Sequence, residues 1–346
     1  MKKYLYLALL AGMLFVMNSC ITEPEYPHYE PWLCSINADG TGFRKIKKVD
    51  GYFGTTGFWD IYMTKDNRII FYGERLWISD TDTIRIEQIT PDNLTLTRIP
   101  PRLSQSPDGS KLYFAADKNI YQLSYPDYQL TQLTNQSTRW LRNPIVSDLG
   151  NYITYSSNGF GYPTKETEYS YWMNLNTGQY GIIPSPDTLT YNPSYSETEG
   201  FVYYERAGVF RSRLDGSDRE TVDDLGGCGM PYNMFSISND QRYIVHCMLH
   251  SYNDCFVRIF DKVNSSGVNL PVKSLSLFRI IGKLSQEANI IYYISPGYPE
   301  ELWVRDLDTG EGRKLVAKGM NIVECYMLAP IWDGSKVYFY AYISLK

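Results

Sequence analysis

From residue 32 onward the chain repeats one pattern: a polar turn, then a short run of β-branched and aromatic residues. It reads Thr64-Lys-Asp-Asn-Arg-Ile-Ile-Phe-Tyr72, Ser106-Pro-Asp-Gly-Ser-Lys-Leu-Tyr-Phe114, Ser147-Asp-Leu-Gly-Asn-Tyr-Ile-Thr-Tyr155 and Ser196-Glu-Thr-Glu-Gly-Phe-Val-Tyr-Tyr204. It returns at Ser238 to His246, Ser285 to Tyr293 and Trp332 to Tyr340. Each copy predicts a β-strand entered through a hairpin-type turn. The copies recur every 40 to 49 residues.

A second unit interleaves with the first. It sets an aromatic four residues before another, mostly apolar, position: Trp32/Ile36, Trp77/Thr81, Tyr121/Tyr125, Tyr171/Leu175, Phe210/Leu214, Phe256/Phe260 and Trp303/Leu307. Residues i and i+4 share one face of a strand, so this aromatic is expected to pack between neighbouring sheets. Several copies then turn through Asp-Gly or Thr-Gly, as at Asp39-Gly40 and Thr309-Gly310, into a further strand.

Seven copies of each unit make seven four-stranded modules of about 45 residues over 32–346. The chain opens with the second unit alone and closes with the first alone. A linear array would leave two half-modules with open edges, which invite aggregation; a ring joins them and removes both edges. The expected fold is all-β: a seven-bladed β-propeller of four-stranded antiparallel blades, closed by pairing N-terminal and C-terminal half-blades.

The strings Ser106-Pro-Asp-Gly-Ser-Lys-Leu-Tyr-Phe114 and Leu302-Trp-Val-Arg-Asp-Leu-Asp-Thr-Gly310 resemble the repeats of TolB-like propellers. The resemblance extends over residues 32 to 346, strongest at 101–134 and 284–316 and weakest at 190–272. The tryptophan that precedes the family's Ser-Pro-Asp-Gly turn is missing from most copies, with only Trp332 near that place. TolB has six such blades, against seven here. The resemblance implies a propeller, and a scaffold role within an envelope assembly as one function.

In such a blade the first–second and third–fourth turns share one face of the disc, and the remaining connections share the other. The tight Asp-Gly turns belong to the first face and read as structural. Length and aromatic variation gather on the second, where loops on a rigid scaffold carry function. Trp59, Arg139, Trp140, Arg142, Tyr162 and Tyr298 fall there. Exposed aromatics beside arginines can stack on sugar rings or anchor a protein, so these six are the candidate binding residues.

Composition narrows the partners. Lysine plus arginine total 33 against 38 aspartate plus glutamate, a formal charge of −5 with no basic run. A nucleic-acid partner is excluded by that balance. Thirty-one tyrosines suit β-structure, while three histidines leave few groups for acid–base work.

The N-terminus carries an address. Met1-Lys2-Lys3, an uncharged run from Tyr4 to Met17 and Asn18-Ser19-Cys20 read as a secretory signal over residues 1–19, too short to span a bilayer. Met17-Asn-Ser-Cys20 resembles the bacterial lipobox, which implies lipidation of Cys20. Residues 20–31, with prolines and glutamates, read as an extended tether, and glutamates close behind such a cysteine resemble the surface-export signal of Bacteroidetes lipoproteins. Residues 32–346 form the propeller domain. The expectation is an outer-membrane lipoprotein held by acyl chains.

The search for catalysis returns little. No Gly-x-Ser-x-Gly elbow, phosphate-binding glycine loop or His-Glu-x-x-His appears. His246 and His250 have helical ligand spacing but fall on or just past a strand, where four residues span about 13 Å. Aspartates are plentiful, as at Asp80, Asp82, Asp223 and Asp224, and most are assigned to turns. Of five cysteines beyond Cys20, Cys247 and Cys255 flank one hairpin and are the candidate pair; Cys34 and Cys325 are expected as buried thiols on non-neighbouring strands of the closing blade.

The expected function is therefore a non-catalytic envelope lipoprotein that binds a glycan or an envelope protein on a propeller face, without metal or cofactor. A scaffold subunit of an outer-membrane assembly is one alternative. A polysaccharide lyase or glycosidase is another; seven-bladed lyases of this repeat type resemble metal-dependent, histidine-rich sites, which this chain matches poorly.

Overall fold

The computed structural model describes residues 29–48, 60–81, 85–96, 102–136, 139–158, 169–184, 191–205, 208–224, 230–251, 254–272, 282–285, 287–295, 301–315 and 320–344. Among them are 28 strands in seven four-stranded antiparallel sheets, and no helix. Six sheets are consecutive along the chain and are numbered blades 1 to 6, beginning at Asp60, Ser104, Trp140, Tyr191, Met230 and Gly282. The seventh, the closing blade, draws on both ends of the chain. From axis to rim it runs Ile322–Pro330, Lys336–Ser344, Tyr29–Asn37 and Arg44–Lys48.

The register of that blade pairs Tyr29 with Ser344 and continues through nine rungs to Asn37 opposite Lys336. Tyr29, Glu30 and Pro31 are thus strand, so the propeller begins three residues inside the segment assigned to the tether. Pro31 lies beyond the last rung to the outer strand, where Trp32 meets Lys48, and a strand tolerates proline at such an edge. Residues 1–28, with the signal, Cys20 and most of the tether, lie outside the described residues.

Second strands are buried on both faces because each separates two joints. In blade 1, Ile69 and Phe71 turn to the closing blade while Ile70 and Tyr72 turn to blade 2. In blade 6, Ile291 and Tyr293 face blade 5 while Tyr292 and Ile294 face the closing blade. Period-two alternation therefore builds seven apolar clusters among the described residues, one for each joint. The core is a ring, not a centre.

The repeated aromatics sit on third strands, each directly opposite a second-strand residue. Phe71 faces Trp77, Phe114 faces Tyr121, Tyr155 faces Tyr171, Tyr204 faces Phe210 and Tyr293 faces Trp303. Tyr155 and Tyr171 stack with ring centroids 5.4 Å apart. Such cross-strand pairs stabilise a sheet by a few tenths to about 1 kcal/mol each. In blade 5 the partner is Met248, and in the closing blade Ala341.

Six of the seven described turns open on a buried hydroxyl, and the seventh opens on Trp332. Ser106 Oγ accepts from Lys111 N at 2.9 Å and donates to Asp108 at 2.5 Å, while Gly109, at φ +80°, closes the turn onto the Ser106 carbonyl. Ser147, Ser238 and Thr64 accept in the same way from Tyr152, Tyr243 and Arg68. Asp108 is held down to about 2 by the Ser106 hydroxyl first, then by the Ser110 amide and hydroxyl.

Cys34 and Cys325 are buried thiols outside any disulfide, with the Lys336–Ser344 strand between theirs, as expected. Burial pushes the Cys34 thiol up to about 12. The register sets Cys247 opposite Val257 and Cys255 opposite Leu249; the side chains of Cys247 and Cys255 lie outside the described residues.

Candidate functional site

Inner strands carry side chains toward the ring axis at alternate positions. Counted back from the turn hydroxyl, the fourth position is Asp60, Arg102, Asn143 and Asn192 in blades 1 to 4. The second is Tyr62, Ser104, Ile145, Ser194, Ser236 and Lys283 in blades 1 to 6. Together they make a polar axial lining inside an apolar ring.

Two side chains bridge it. Arg102, just before the inner strand of blade 2, donates through Nη2 to the Phe235 carbonyl of blade 5, three blades away in a ring of seven. That bond runs nearly along a diameter. Lys283 of blade 6 reaches past the closing blade to Asp60 of blade 1, with Nζ 3.0 and 2.9 Å from the carboxylate oxygens and 2.5 Å from the Ile61 carbonyl. Its ammonium also sits 3.9 Å from the centroid of the Tyr62 ring. Burial raises Asp60 and lowers Lys283, and each opposes that shift in the other. Burial, with Asp60 adding to it, pushes the Tyr62 phenol well above its usual range.

These bridges floor a cavity of about 410 Å³ whose walls come from blades 1 to 6, with Trp332 of the closing blade. Its mouth is ringed by first–second turn residues, among them Lys65, Pro107, Asp148, Asn239 and Glu287. The rim is stitched across blades. Lys65 donates to the Pro107 carbonyl at 2.9 Å, lies 3.5 Å from Glu287 and covers Trp332, whose indole donates to the Met63 carbonyl at 3.1 Å. Asp148 accepts from the amides of Glu197 and Thr198 at 2.6 and 3.2 Å. The site is a cup that reaches the face of the tight turns.

A second polar cluster lies behind the wall, between blades 4 and 5. His246, with no exposed surface, has Nδ1 3.6 Å from Glu205 Oε1 and Nε2 3.5 Å from Asp223 Oδ2. Asn192 donates to Glu205 at 2.7 Å and accepts from Asn143 at 2.8 Å. Burial drives the Glu205 carboxyl up to about 8, against the pull of Asn192 and Arg102. Burial likewise lowers His246, so both are neutral at pH 7. Burial works on Asp223 too, but the Arg258 fork, with Nε and Nη2 at 2.9 and 2.8 Å, and His246 hold it at about 2. Asp223 thus sits in a strand, Glu220–Asp224, and not in a turn.

Such a carboxyl–imidazole–carboxylate chain has the character of catalytic groups. Neither Glu205 nor His246 lines the cup, however. Among the described residues no group of three or more His, Cys, Asp and Glu side chains is placed to hold a metal ion. His246 is one of a strand pair with His250, whose side chain lies outside the described residues.

Three of the sequence-selected residues lie at the other end of the inner strands. Arg139 stacks 4.8 Å over the Tyr169 ring, Trp140 opens the strand Trp140–Val146 with Lys118 5.9 Å above it, and Arg142 pairs across to Ser156. They stand together on blade 3 and none lines the cup. Trp59, Tyr162 and Tyr298 lie outside the described residues. Arg102 and Lys283 of the cup, with Asp60 as the lysine's partner, escaped the sequence reading, although a charge at inner-strand positions otherwise filled by uncharged residues marks them.

No family model matches the chain, and no curated protein matches it. Solved structures do resemble it. An oligogalacturonate lyase from Vibrio parahaemolyticus has 9% identity and a TM-score of 0.57, over 91% of this chain and 92% of that one. A second, an oligogalacturonate lyase in complex with manganese, has 10% identity and a TM-score of 0.56, over 84% and 90%. A putative TolB from Agrobacterium tumefaciens has 14% identity and a TM-score of 0.51, over 92% and 100%. These likenesses show the fold. At such identity the TolB-like propeller is shared as architecture, and function has to be argued from the site.

Proposed function

We propose that the protein is a non-catalytic binding propeller of the cell envelope, held to the outer membrane by a lipid on Cys20, which takes a glycan or protein partner on a propeller face. The observation that supports this reading is the cup itself. Its volume of about 410 Å³ falls within the range of roughly 300–1,000 Å³ typical of ligand sites. Its charged groups at Lys283 and Lys65 are already matched to carboxylates, while Glu205 and His246 stand behind the wall. That arrangement suits recognition by a preformed surface.

The test is retardation of the 21–346 fragment in native gels cast with a panel of polysaccharides, followed by assay for released reducing ends. Retardation without cleavage is the expected result. Loss in Tyr195→Ala assigns the contact to the cup, and loss in Trp140→Ala assigns it to the opposite face. Cleavage overturns the non-catalytic reading. No retardation by any polymer removes the glycan and directs crosslinking toward a protein partner.

A further inference from the structure

Arg102 differs from the other charges of the cup. Lys283 is spent on Asp60 and the Ile61 carbonyl, Lys65 faces Glu287, and Asp148 is bound by backbone amides. The guanidinium of Arg102 has one acceptor, the neutral Phe235 carbonyl, and its Nη1 is buried with no hydrogen-bond partner among the described residues. The carboxyl whose charge reaches it, Glu205, is kept protonated to about pH 8 by burial and gives no counter-charge at neutrality. A guanidinium stays charged in any protein environment. Arg102 is half-buried, and with Nη1 out of water and no opposite charge beside it, the guanidinium is costly to the fold unless something else neutralises it.

We propose that the axial cup is a receptor for the oxyanion end group of a small ligand, carboxylate, phosphate or sulfate, with Arg102 as its charge partner. The walls fit the remainder of such a molecule: Leu103, Ile145, Ile237 and Leu284 line the cavity above the floor and offer apolar contact to a ring or short chain. The cavity reaches the face of the tight turns, so the ligand enters from there with its oxyanion end toward Arg102. Planar guanidinium and oxyanion form charge-assisted hydrogen bonds about twice as strong as neutral ones. The inference rests on the reading of this cup as a binding site and names the chemistry at its base.

The experiment uses the mature chain and three probes, sodium acetate, inorganic phosphate and sodium sulfate, each compared with sodium chloride at equal ionic strength. At least one is expected to raise the melting temperature by several degrees along a saturable curve. Arg102→Met is expected to abolish the saturable part, while Arg44→Met, on the outer strand of the closing blade, leaves it unchanged. A response to acetate alone assigns a carboxylate; one to phosphate or sulfate assigns a phosphorylated or sulfated ligand. No saturable shift with any probe overturns the proposal, as does an equal shift in Arg102→Met.

Should Arg102→Met fail to fold, phenylglyoxal labelling of the wild-type chain decides. The Arg102 peptide is protected by the bound anion if the proposal holds and modified at an unchanged rate if it does not. Polymer retardation that survives Arg102→Met alongside absent anion binding removes this inference and leaves the binding reading. Anion binding without any polymer or protein partner does the reverse.

Discussion

Among the described residues, the joint between the closing blade and blade 6 buries fourteen apolar ones, including Tyr292, Leu302, Leu328 and Phe339. The joint between blades 3 and 4 buries three of them, Ile183, Val202 and Tyr204. Directed bonds take up the difference. Glu197 of blade 4 accepts from the Asn151 amide and side chain, both at 2.9 Å, and from the Ser147 hydroxyl, while Thr154 donates to the Pro193 carbonyl. Apolar burial is indifferent to orientation and accepts many side chains of similar size. A hydrogen-bonded joint needs particular partners at particular angles. The same ring is thus closed by two chemistries, and the polar one coincides with the stretch where the repeat is hardest to see.

The comparison breaks most visibly at the dry joint. Phe339→Ala should lower stability by about 3–5 kcal/mol, the cost of deleting a fully buried aromatic, read from the urea midpoint. At the polar joint, Glu197→Ala should cost about 2 kcal/mol, because three donors lose a charged acceptor. A loss at Glu197 larger than that at Phe339 would overturn the ordering.

Between blades 4 and 5 the comparison can be sharpened by pH. Glu205 has its acidity raised to about 8, above the unfolded value of about 4.3, so the folded state holds a proton the unfolded chain has released. Its contribution is full below the unfolded value and declines as pH rises, by about 1.4 kcal/mol per unit until the folded value is passed. His246, lowered from about 6.5, opposes this only below its unfolded value. Stability should therefore fall between about pH 6.5 and 8, and Glu205→Gln should flatten that slope. Urea melts at half-unit intervals check it; an unchanged slope in the variant sinks the assignment.

The mildest probe leaves the sequence intact. Iodoacetamide followed by peptide mass analysis should find Cys34 and Cys325 unlabelled in the folded ring, since both are buried and burial raises the Cys34 thiol to about 12. Labelling at native-state rates would mean that the closing joint opens locally.

Strands, turns and the third-strand aromatics were legible because each is specified within about ten residues. Ser106 locks its own turn, and Trp303 meets Tyr293 across one hairpin. The cup was not, because its floor joins residues 133 and 223 positions apart, whose pairing exists only once the ring has closed. Asp223 misled for a related reason. Its type favours turns, but Arg258 on the neighbouring blade supplies the charge that lets it sit in a strand. The face with long aromatic loops drew attention through composition, while the cavity formed on the face whose turns are short and regular.

The closing blade also fixes how the molecule bears load. Tyr29 stands at the end of its strand beside Ser344, on the side of the disc opposite the turns that ring the cup. A lipid on Cys20, as proposed, would tether the ring from that back side and leave the mouth pointing away from the bilayer. Tension would then run along the strand axis, perpendicular to the hydrogen bonds of an antiparallel pair. All nine rungs between Tyr29 and Asn37 would share it in shear instead of peeling one at a time.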